Sequence, residues 1–572
     1  MNRRKFVSLG ATTACLIPVF GLSAFDKNLH ASVPAKPTWL VDLIKINDGK
    51  VKDASANKVT DKNNRNFGGH FNSVEIVNPH STCDFIVKAG SALTCSESSY
   101  FQSKNLLTDI GQALHCLITN MQHADGTIDL METNFHSTPD TAFMVKRLAP
   151  VYILMRQSKF AGAGQIMADF KTFLKRAGEA LITGGIHTPN HRWVVCAALT
   201  KLNELWPDTR YVSRVNEWLG EHIDIDPDGQ YTEKSTYGYS AVIDRVLITV
   251  AKGLNKPYLL DAVRKNISMM RYYIHPNGEV VTEASNRQDK GQKGTMENYY
   301  YACRYLAILD KDGEMASICR LIETTSFKTL AEMLPYFLED PFLWKPLPVS
   351  KTLPVSYVKA FPYSGVVRVR RGDWDTTLLS NNPGWLTFHK GAAVLQTMRI
   401  ASSFFGKGQF QTENITQQGN SWVLSKKLEG NYYQPYPKDK IAPDGDLSKM
   451  PRTNRDKSNI QYLETTIKIS EAGNGMEVAI EMSGTDNVPV TMELIFRRGG
   501  KFEGVTAHPS KADAFLLSGN KGSYRMGNDT IHFGPGKLEH KGIQLRGALP
   551  AADAPTVYLT GFTPFKHIIQ IS

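Results

Sequence analysis

The hydrophobic pattern changes near residue 350, and this change constrains the fold of the 572-residue chain more than any other feature. From about 105 to 340, apolar residues recur at the spacing of helix faces, as they do over 195–206 and 243–254. After a proline-rich stretch, short segments rich in Val, Ile, Thr and aromatic residues predict strands. The clearest strands lie at 364–371, 385–399, 463–470, 476–482 and 488–497.

This pattern predicts a multidomain α and β chain. We expect an all-helical domain over 25–345 and an antiparallel β-sandwich over 346–572. Hydrophobic residues make up 42% of the chain and charged residues 21%, which excludes disorder as the dominant state. The polar, proline-containing segment from about 430 to 460 is predicted to be a long loop.

The helical half contains a weak internal repeat of turns. Gly126, Gly185, Gly229 and Gly278 lie in turns separated by 59, 44 and 49 residues, and polar or aromatic residues follow each turn. A helical hairpin needs roughly 40–50 residues, so each interval accommodates one hairpin. Stacked hairpins that close into a ring form an α/α toroid. If all the turns lie at the same end, the residues behind them converge on one mouth.

The chain begins with a pattern typical of an export signal over residues 1–24. Arg3, Arg4 and Lys5 precede a short apolar run that contains Pro18 and ends in small residues near Ala24. The paired arginines resemble a twin-arginine signal, so we expect a periplasmic or secreted protein. An uncleaved membrane anchor is the alternative. No later segment has 18 uncharged apolar residues, so we expect no stable membrane insertion once the signal is removed.

The charge balance suggests an acidic partner. The formal net charge is +11, and the three basic residues of the signal leave +8 on the mature chain. Export and the lack of a concentrated basic run argue against nucleic acid.

Six cysteines lie after the predicted signal, and their spacing fits no zinc motif. Cys116, Cys196 and Cys303 lie in apolar helical runs and are predicted core residues. Cys83 and Cys95 could form a local disulfide in an oxidising compartment.

Two polar motifs in the helical half are candidate site residues. Asn190, His191 and Arg192 stand in a row just before an apolar helix. Asn190 could simply cap that helix, and Arg192 fits either an ion pair or an anion contact. The second motif, over 228–240, places tyrosines around a turn. These could pack against the next hairpin. Alternatively, one could act as a base if Arg287 lowered its pKa from about 10.

Together these motifs resemble the polysaccharide lyases of the heparinase II/III and chondroitin AC/hyaluronate lyase type. The resemblance rests on Asn-His at the start of a helix, followed about fifty residues later by Asp-Gly-x-Tyr-x-Glu and a tyrosine pair. Its motifs cover only about 190–290. It implies an α/α toroid followed by antiparallel β-sheets, and β-elimination on an acidic polysaccharide.

The resemblance also implies roles for individual residues. Asn190 and His191 would bind the uronate carboxylate, and Tyr239 would act as base and acid, with Tyr237 as the alternative. Arg287 resembles the arginine of the chondroitin-type branch. Lys234 stands where that branch has a histidine, so His136 is the next candidate for proton transfer. The candidate substrate-binding residues are Asn134, His136, Arg192, Trp193, Glu233 and His389.

The expected chemistry explains these residue types. Neutralising the carboxylate lets it accept enolate charge, and a tyrosinate then removes the proton on carbon 5. A Tyr or His protonates the leaving oxygen, and this chemistry requires no metal or other cofactor.

Two other functions fit the sequence. A glycoside hydrolase on the same toroid would need two carboxylates about 5–9.5 Å apart. A non-catalytic glycan-binding protein would use aromatic platforms. The carboxylate candidates are Asp140, Glu233, Glu283 and Glu297, and the aromatic candidates are Trp193, Trp385 and Tyr299–Tyr301.

Overall fold

A helical half is followed along the chain by a β half in the computed structural model, which describes residues 35–572. The predicted export signal at 1–24 lies outside the described residues. The helices are α1 (Thr38–Ala56), α2 (Pro79–Leu93), α3 (Lys104–Cys116), α4 (Thr138–Ser158), α5 (Gly164–Thr183), α6 (Pro189–Leu205), α7 (Thr209–Leu219), α8 (Tyr239–Gly253), α9 (Leu259–Met270), α10 (Tyr300–Asp310), α11 (Gly313–Thr325) and α12 (Leu334–Glu339).

The helices form the predicted α/α toroid. Helices α2, α4, α6, α8 and α10 pack beside one another as an inner row, and each is joined to an outer helix. The inner helices are the more buried, because α6 and its neighbours contact helices on both sides. Side-chain caps fix where several begin. Asn78 accepts from the Ser81 N–H at the start of α2, and Ser137 accepts from the Asp140 N–H at the start of α4.

The predicted repeat of turns is present. All four turns connect an outer helix to the next inner helix, so they lie at the same end of the toroid. Gly126, Gly229 and Gly278 have φ of 87°, 107° and 82°, and each donates its N–H to the carbonyl three residues earlier. The turn at Gly185 differs, because this glycine does not have a positive φ.

The β half is a sandwich of two large sheets. The strands are β1 (Ile128–Leu130), β2 (Asn134–Ser137), β3 (Ser356–Phe361), β4 (Val366–Arg371), β5 (Trp374–Leu379), β6 (Leu386–Lys390), β7 (Ala393–Ser402), β8 (Thr416–Gln418), β9 (Ser421–Tyr433), β10 (Lys457–Ala472), β11 (Gly475–Gly484), β12 (Pro489–Phe496), β13 (Lys501–Glu503), β14 (Thr506–Ala507), β15 (Ala514–Leu516), β16 (Gly522–Met526), β17 (Asp529–Gly534), β18 (Thr556–Phe562) and β19 (Phe565–Ile571). Of the strands within residues 35–572, β1 and β2 alone lie in the helical half.

One sheet has the strand order β14-β15-β18-β12-β7-β6-β5-β4-β3, and the other has β13-β16-β17-β19-β11-β10-β9-β8. Neighbouring strands are antiparallel except β15 and β18. A shared apolar core between the sheets joins residues such as Trp385 and Met398 of one to Ile467 and Val478 of the other. Strand β5 is buried at all six positions because its second face lies against the helical half.

Two local expectations need correction. The segment 385–399 is not one strand but the hairpin of β6 and β7, because Gly391 takes a left-handed φ of 53° and turns the chain. The possible disulfide between Cys83 and Cys95 is absent, and all six cysteines in the described part are free and buried. Cys116, Cys196 and Cys303 are buried as predicted. Within residues 35–572, no helix is both long enough and apolar enough to cross a membrane.

Candidate active site

A cavity of about 610 Å³ opens at the end of the toroid where the four turns lie. Each turn contributes a predicted site residue to its wall. Asn134 follows the first turn, His191 the second, Tyr239 the third and Arg287 the fourth. The convergence follows from the topology, because every outer-to-inner connection ends at the same face of the ring.

Tyr239 is the first residue of α8, and its position is fixed by backbone and side-chain contacts. Its N–H donates to Ser235 Oγ at 2.8 Å. The guanidinium carbon of Arg287 lies 5.4 Å from the centre of its ring. A cation at this distance from the aromatic ring is attracted to it and places positive charge beside the phenol.

His191 lies in the first turn of α6, half-buried at the cavity wall. Burial lowers the pKa of His191 to about 4, and the neighbouring His187 adds to the effect. The imidazole is therefore neutral at ordinary pH. Its ring packs edge-on against Phe143, with the centroids 6.0 Å apart.

Arg287 is held from behind by a buried carboxylate. Its Nε lies 3.3 Å from Glu233 Oε2. The other oxygen of Glu233 accepts from the backbone N–H and the side-chain Nδ2 of Asn190, at 2.8 and 2.6 Å. Asn190 is fully buried, does not line the cavity, and does not cap α6, whose N-cap is Thr188. Asn190, Glu233 and Arg287 thus form one chain of contacts leading to the cavity.

The opposite wall joins the predicted Asn134 and Asp140 to His80, Arg147 and His187, which no sequence motif marked. Asn134 donates to Asp140 Oδ2 at 3.4 Å, and His80 Nε2 lies 3.7 Å from Asp140 Oδ1. Arg147 on α4 and His187 also line the cavity. Asn134 comes from β2, His80 from α2, Asp140 and Arg147 from α4, and His187 from the loop before α6. Only the Ser137 cap before Asp140 gave a local signal, and it indicates a helix start rather than a site.

Tyr237, the alternative base, lies outside the cavity lining. Its hydroxyl donates to Glu297 Oε1 at 2.7 Å. Burial raises the pKa of Tyr237, and the hydrogen bond to Glu297 raises it further. The two tyrosines of the motif therefore differ in where their side chains lie. Tyr239 lines the cavity, and Tyr237 does not.

Three other predicted site residues also lie away from the cavity lining. Arg192 is paired with Glu221 and Asp224, each at 2.9 Å, and Trp193 is fully buried with its indole N–H donating to Asp224. His136 is exposed, and its Nδ1 lies 2.7 Å from Asp125 while its ring stacks on His123. The structure does not bring these side chains to Tyr239.

His389 lies in a buried cluster between the two halves of the chain. Within the described residues, His275, Asp375 and His389 are the one group of three whose possible metal-ligand atoms lie within 4.8 Å of one another. Asp375 is already engaged, since Arg368 donates to it at 2.6 Å and His275 Nδ1 lies 3.0 Å from both its oxygens. The rings of His275 and His389 stack at 3.6 Å, nearly parallel. Arg368 and His275 thus share the Asp375 carboxylate within one buried network.

The four carboxylates considered for a hydrolase do not meet in the cavity. Only Asp140 lines it. Glu233 is engaged by Asn190 and Arg287, Glu283 accepts from Thr377 and Thr387, and Glu297 accepts from Tyr237. The arrangement does not favour a paired-carboxylate mechanism.

Comparisons of the whole chain give matches in structure and none in sequence. No protein-family model matches the chain, and no curated protein matches it. Heparinase III matches with a TM-score of 0.56 and 10% identity, covering 94% of this chain and 87% of that one. Chondroitin AC lyase of Streptomyces coelicolor A3, solved with chondroitin sulphate, matches with a TM-score of 0.54 and 12% identity, covering 96% and 80%.

The chain shares its fold with these two lyases. Xanthan lyase of Paenibacillus shares it at a TM-score of 0.54 and 11% identity, where the match covers 86% of this chain and 51% of that one. The chain therefore spans about half the length of that lyase. In this shared fold, the 610 Å³ cavity is formed by the helical half, while the β half supports the fourth turn through Glu283.

Proposed function

We propose that the chain is an exported lyase that cleaves a uronic-acid-containing polysaccharide by β-elimination. The observation that carries the proposal is the convergence of Tyr239, His191, Asn134 and Arg287 on one cavity. A phenol, a cation and neutral hydrogen-bond donors match what proton abstraction beside a carboxylate requires. The fold shared with heparinase III and chondroitin AC lyase supports the same class of reaction.

The uronate carboxylate would bind at Arg287, with the neutral His191 and the Asn134 amide donating hydrogen bonds. Arg287 can bind an anion and still contact Glu233, because a guanidinium carries five N–H donors. Asn190, whose amide is engaged by Glu233, would act as a positioning residue for Arg287. Charge that develops on the carboxylate during proton removal is then stabilised by groups already in place.

Tyr239 would move the proton. As tyrosinate, it takes the proton from carbon 5, and the electron pair forms the double bond to carbon 4 while the glycosidic oxygen leaves. The same hydroxyl then gives its proton to that oxygen, which restores the tyrosinate. The guanidinium of Arg287, 5.4 Å from the ring centre, keeps a positive charge beside the phenol during this cycle.

The decisive experiment is a panel of polyuronates assayed by ultraviolet absorbance, because β-elimination creates a new absorbing double bond. We expect a product that absorbs, and we expect Tyr239→Phe to lower kcat by about 100-fold to 10,000-fold. Tyr237→Phe is the matched control, since it removes the same hydroxyl two residues away, outside the cavity. It should lower kcat less than Tyr239→Phe does.

Reducing sugar released without the absorbing bond would identify a hydrolase, and tight glycan binding without any product would identify a binding protein. If Tyr237→Phe lowers kcat more than Tyr239→Phe does, Tyr237 is the base and the assignment to Tyr239 is wrong. Export is tested on the mature protein, whose N-terminus should follow residue 24.

A further inference from the structure

A second cavity, of about 790 Å³, adjoins the candidate active site. It lies between the end of α1, the loop over 70–75 and the beginning of α2. His80 and Arg147 line both cavities, so the two spaces meet at these side chains. A ligand longer than the first cavity would therefore reach His80 and Arg147 at the edge of the second.

His70 on the wall of the second cavity carries two unpaired polar atoms. It is 1% exposed, and neither ring nitrogen has a hydrogen-bond partner within residues 35–572. Its ring stacks on Phe85 with the centroids 4.1 Å apart. An unsatisfied buried polar group costs free energy, so an imidazole in this position is stabilised by a ligand that offers it a hydrogen bond. A sugar hydroxyl, which both donates and accepts, is such a partner.

Arg147 supplies a cation at the junction. Its Nη2 donates to Asp84 at 2.6 Å, and Lys88 also pairs with Asp84 at 2.5 Å. Asp84 thus has a second cation, while Arg147 keeps further N–H donors beyond the one that Asp84 engages. A planar guanidinium with free donors suits a carboxylate or sulfate oxygen pair.

We propose that the second cavity binds the sugar next to the one in the catalytic cavity, with Arg147 contacting an acidic group on that sugar and His70 contacting a hydroxyl. This inference rests on the proposed function and narrows its substrate class. The preferred polymer carries an acidic group on consecutive sugars, rather than only on alternate ones.

The first test compares homopolyuronates (polyglucuronate, polymannuronate and polygalacturonate) with hyaluronan and unsulfated chondroitin, which are acidic at alternate sugars. We expect kcat/KM to be highest for a homopolymer. Arg147→Gln should reduce the preference for that homopolymer over the alternating polymers at least about tenfold, since a charge-assisted contact is lost. Arg156→Gln is the matched control, because Arg156 is exposed on the same helix outside both cavities.

The second test uses His70→Phe, which keeps the stacking on Phe85 and removes the unpaired nitrogens. Binding is measured by calorimetry in a Tyr239→Phe background, with a disaccharide and a tetrasaccharide of the best homopolymer. The tetrasaccharide-to-disaccharide affinity ratio should fall about fivefold in His70→Phe, as expected for one lost hydrogen bond. The melting temperature of His70→Phe should change little, because the phenyl ring keeps the stacking on Phe85.

The outcomes separate the two proposals. If no polyuronate is cleaved or bound, the proposed function fails. If cleavage occurs but the alternating polymers are preferred, only the inference about the second cavity is overturned. The same holds if Arg147→Gln leaves the polymer preference unchanged and His70→Phe leaves the tetrasaccharide-to-disaccharide affinity ratio unchanged.

Discussion

The charge state of His191 decides how the candidate site should respond to pH. Burial holds its pKa near 4, below the ordinary value of 6.5, so the imidazole stays neutral throughout the neutral range. Because kcat/KM reports on the free enzyme, its pH profile should show no inflection from His191 between about pH 5.5 and pH 8. The profile of the active homopolymer reaction checks this. An inflection near 6.5 that disappears in His191→Asn would contradict the neutral imidazole.

Glu233 is predicted to act on the reaction only through Arg287. Replacing its carboxylate by an amide removes the ion pair at 3.3 Å and disturbs the bonds from Asn190. We expect Glu233→Gln to lower kcat/KM by about 10-fold to 100-fold, the value of a charge-assisted contact. Glu297→Gln is the matched control, since Glu297 also lies outside the cavity lining but accepts from the Tyr237 hydroxyl instead of pairing with Arg287. If both variants lose kcat/KM equally, or if a lower melting temperature explains the loss in Glu233→Gln, then Glu233 does not position Arg287 for the reaction.

Among the elements, the repeated turns provide a direct test of the toroid geometry. Gly229 and Gly278 both have positive φ, but a Cβ on Gly229 would lie 2.6 Å from the Lys265 carbonyl oxygen. A Cβ on Gly278 would find its nearest neighbour at 3.6 Å. Gly278→Ala should therefore cost about 1–2 kcal/mol from backbone strain alone. Gly229→Ala should cost about 1–3 kcal/mol more, because the backbone must shift. Urea unfolding of the two variants measures the difference, and equal costs would contradict the close packing at Gly229.

The elements were predictable because their signals are local. Helical spacing, turn glycines and β-branched runs each act over a few residues, so the toroid and the sandwich followed from the sequence. The split of 385–399 into β6 and β7 was missed because Gly391 was not recognised as a turn. The candidate site was predictable where a motif follows a turn, as for Tyr239 and His191. Its other wall, with His80 and Arg147, depends on how α2 and α4 pack, and no short motif reports such a contact.

For the molecule as a whole, the contact between the two halves carries the fourth turn of the site. His275 begins that turn, and Glu283 lies within the segment that leads to Arg287. Both contact the β half, through Asp375 and through the hydroxyls of Thr377 and Thr387. Arg497 of the β half also forms an ion pair with Glu279 of the same turn, at 2.6 Å. The β-sandwich therefore fixes the position from which Arg287 reaches the cavity.

The contact of His275 with Asp375, between the two halves, should make the stability of the whole chain depend on pH in the alkaline range. Burial disfavours the charged form of His275, but the carboxylates of Asp375 and Glu283 outweigh it and raise the pKa of His275 from 6.5 to about 9. A raised pKa means that the folded state holds this proton more tightly than the unfolded chain does. Its stabilising contribution is therefore complete below pH 6.5 and is lost as the pH rises through 9.

His275→Gln cannot hold that proton. The free energy of unfolding that the substitution removes should therefore become smaller as the pH rises. At pH 7 the variant should be destabilised, and by pH 10 the difference from the unmodified chain should be smaller by on the order of 2–3 kcal/mol. The free energy of the first cooperative urea transition, measured at both pH values, checks this. His222→Gln, at an exposed histidine, is the control and should show no such change. A cost for His275→Gln that stays constant across this range would mean that the buried network does not hold its proton, and His275 would then contact Asp375 as a neutral imidazole.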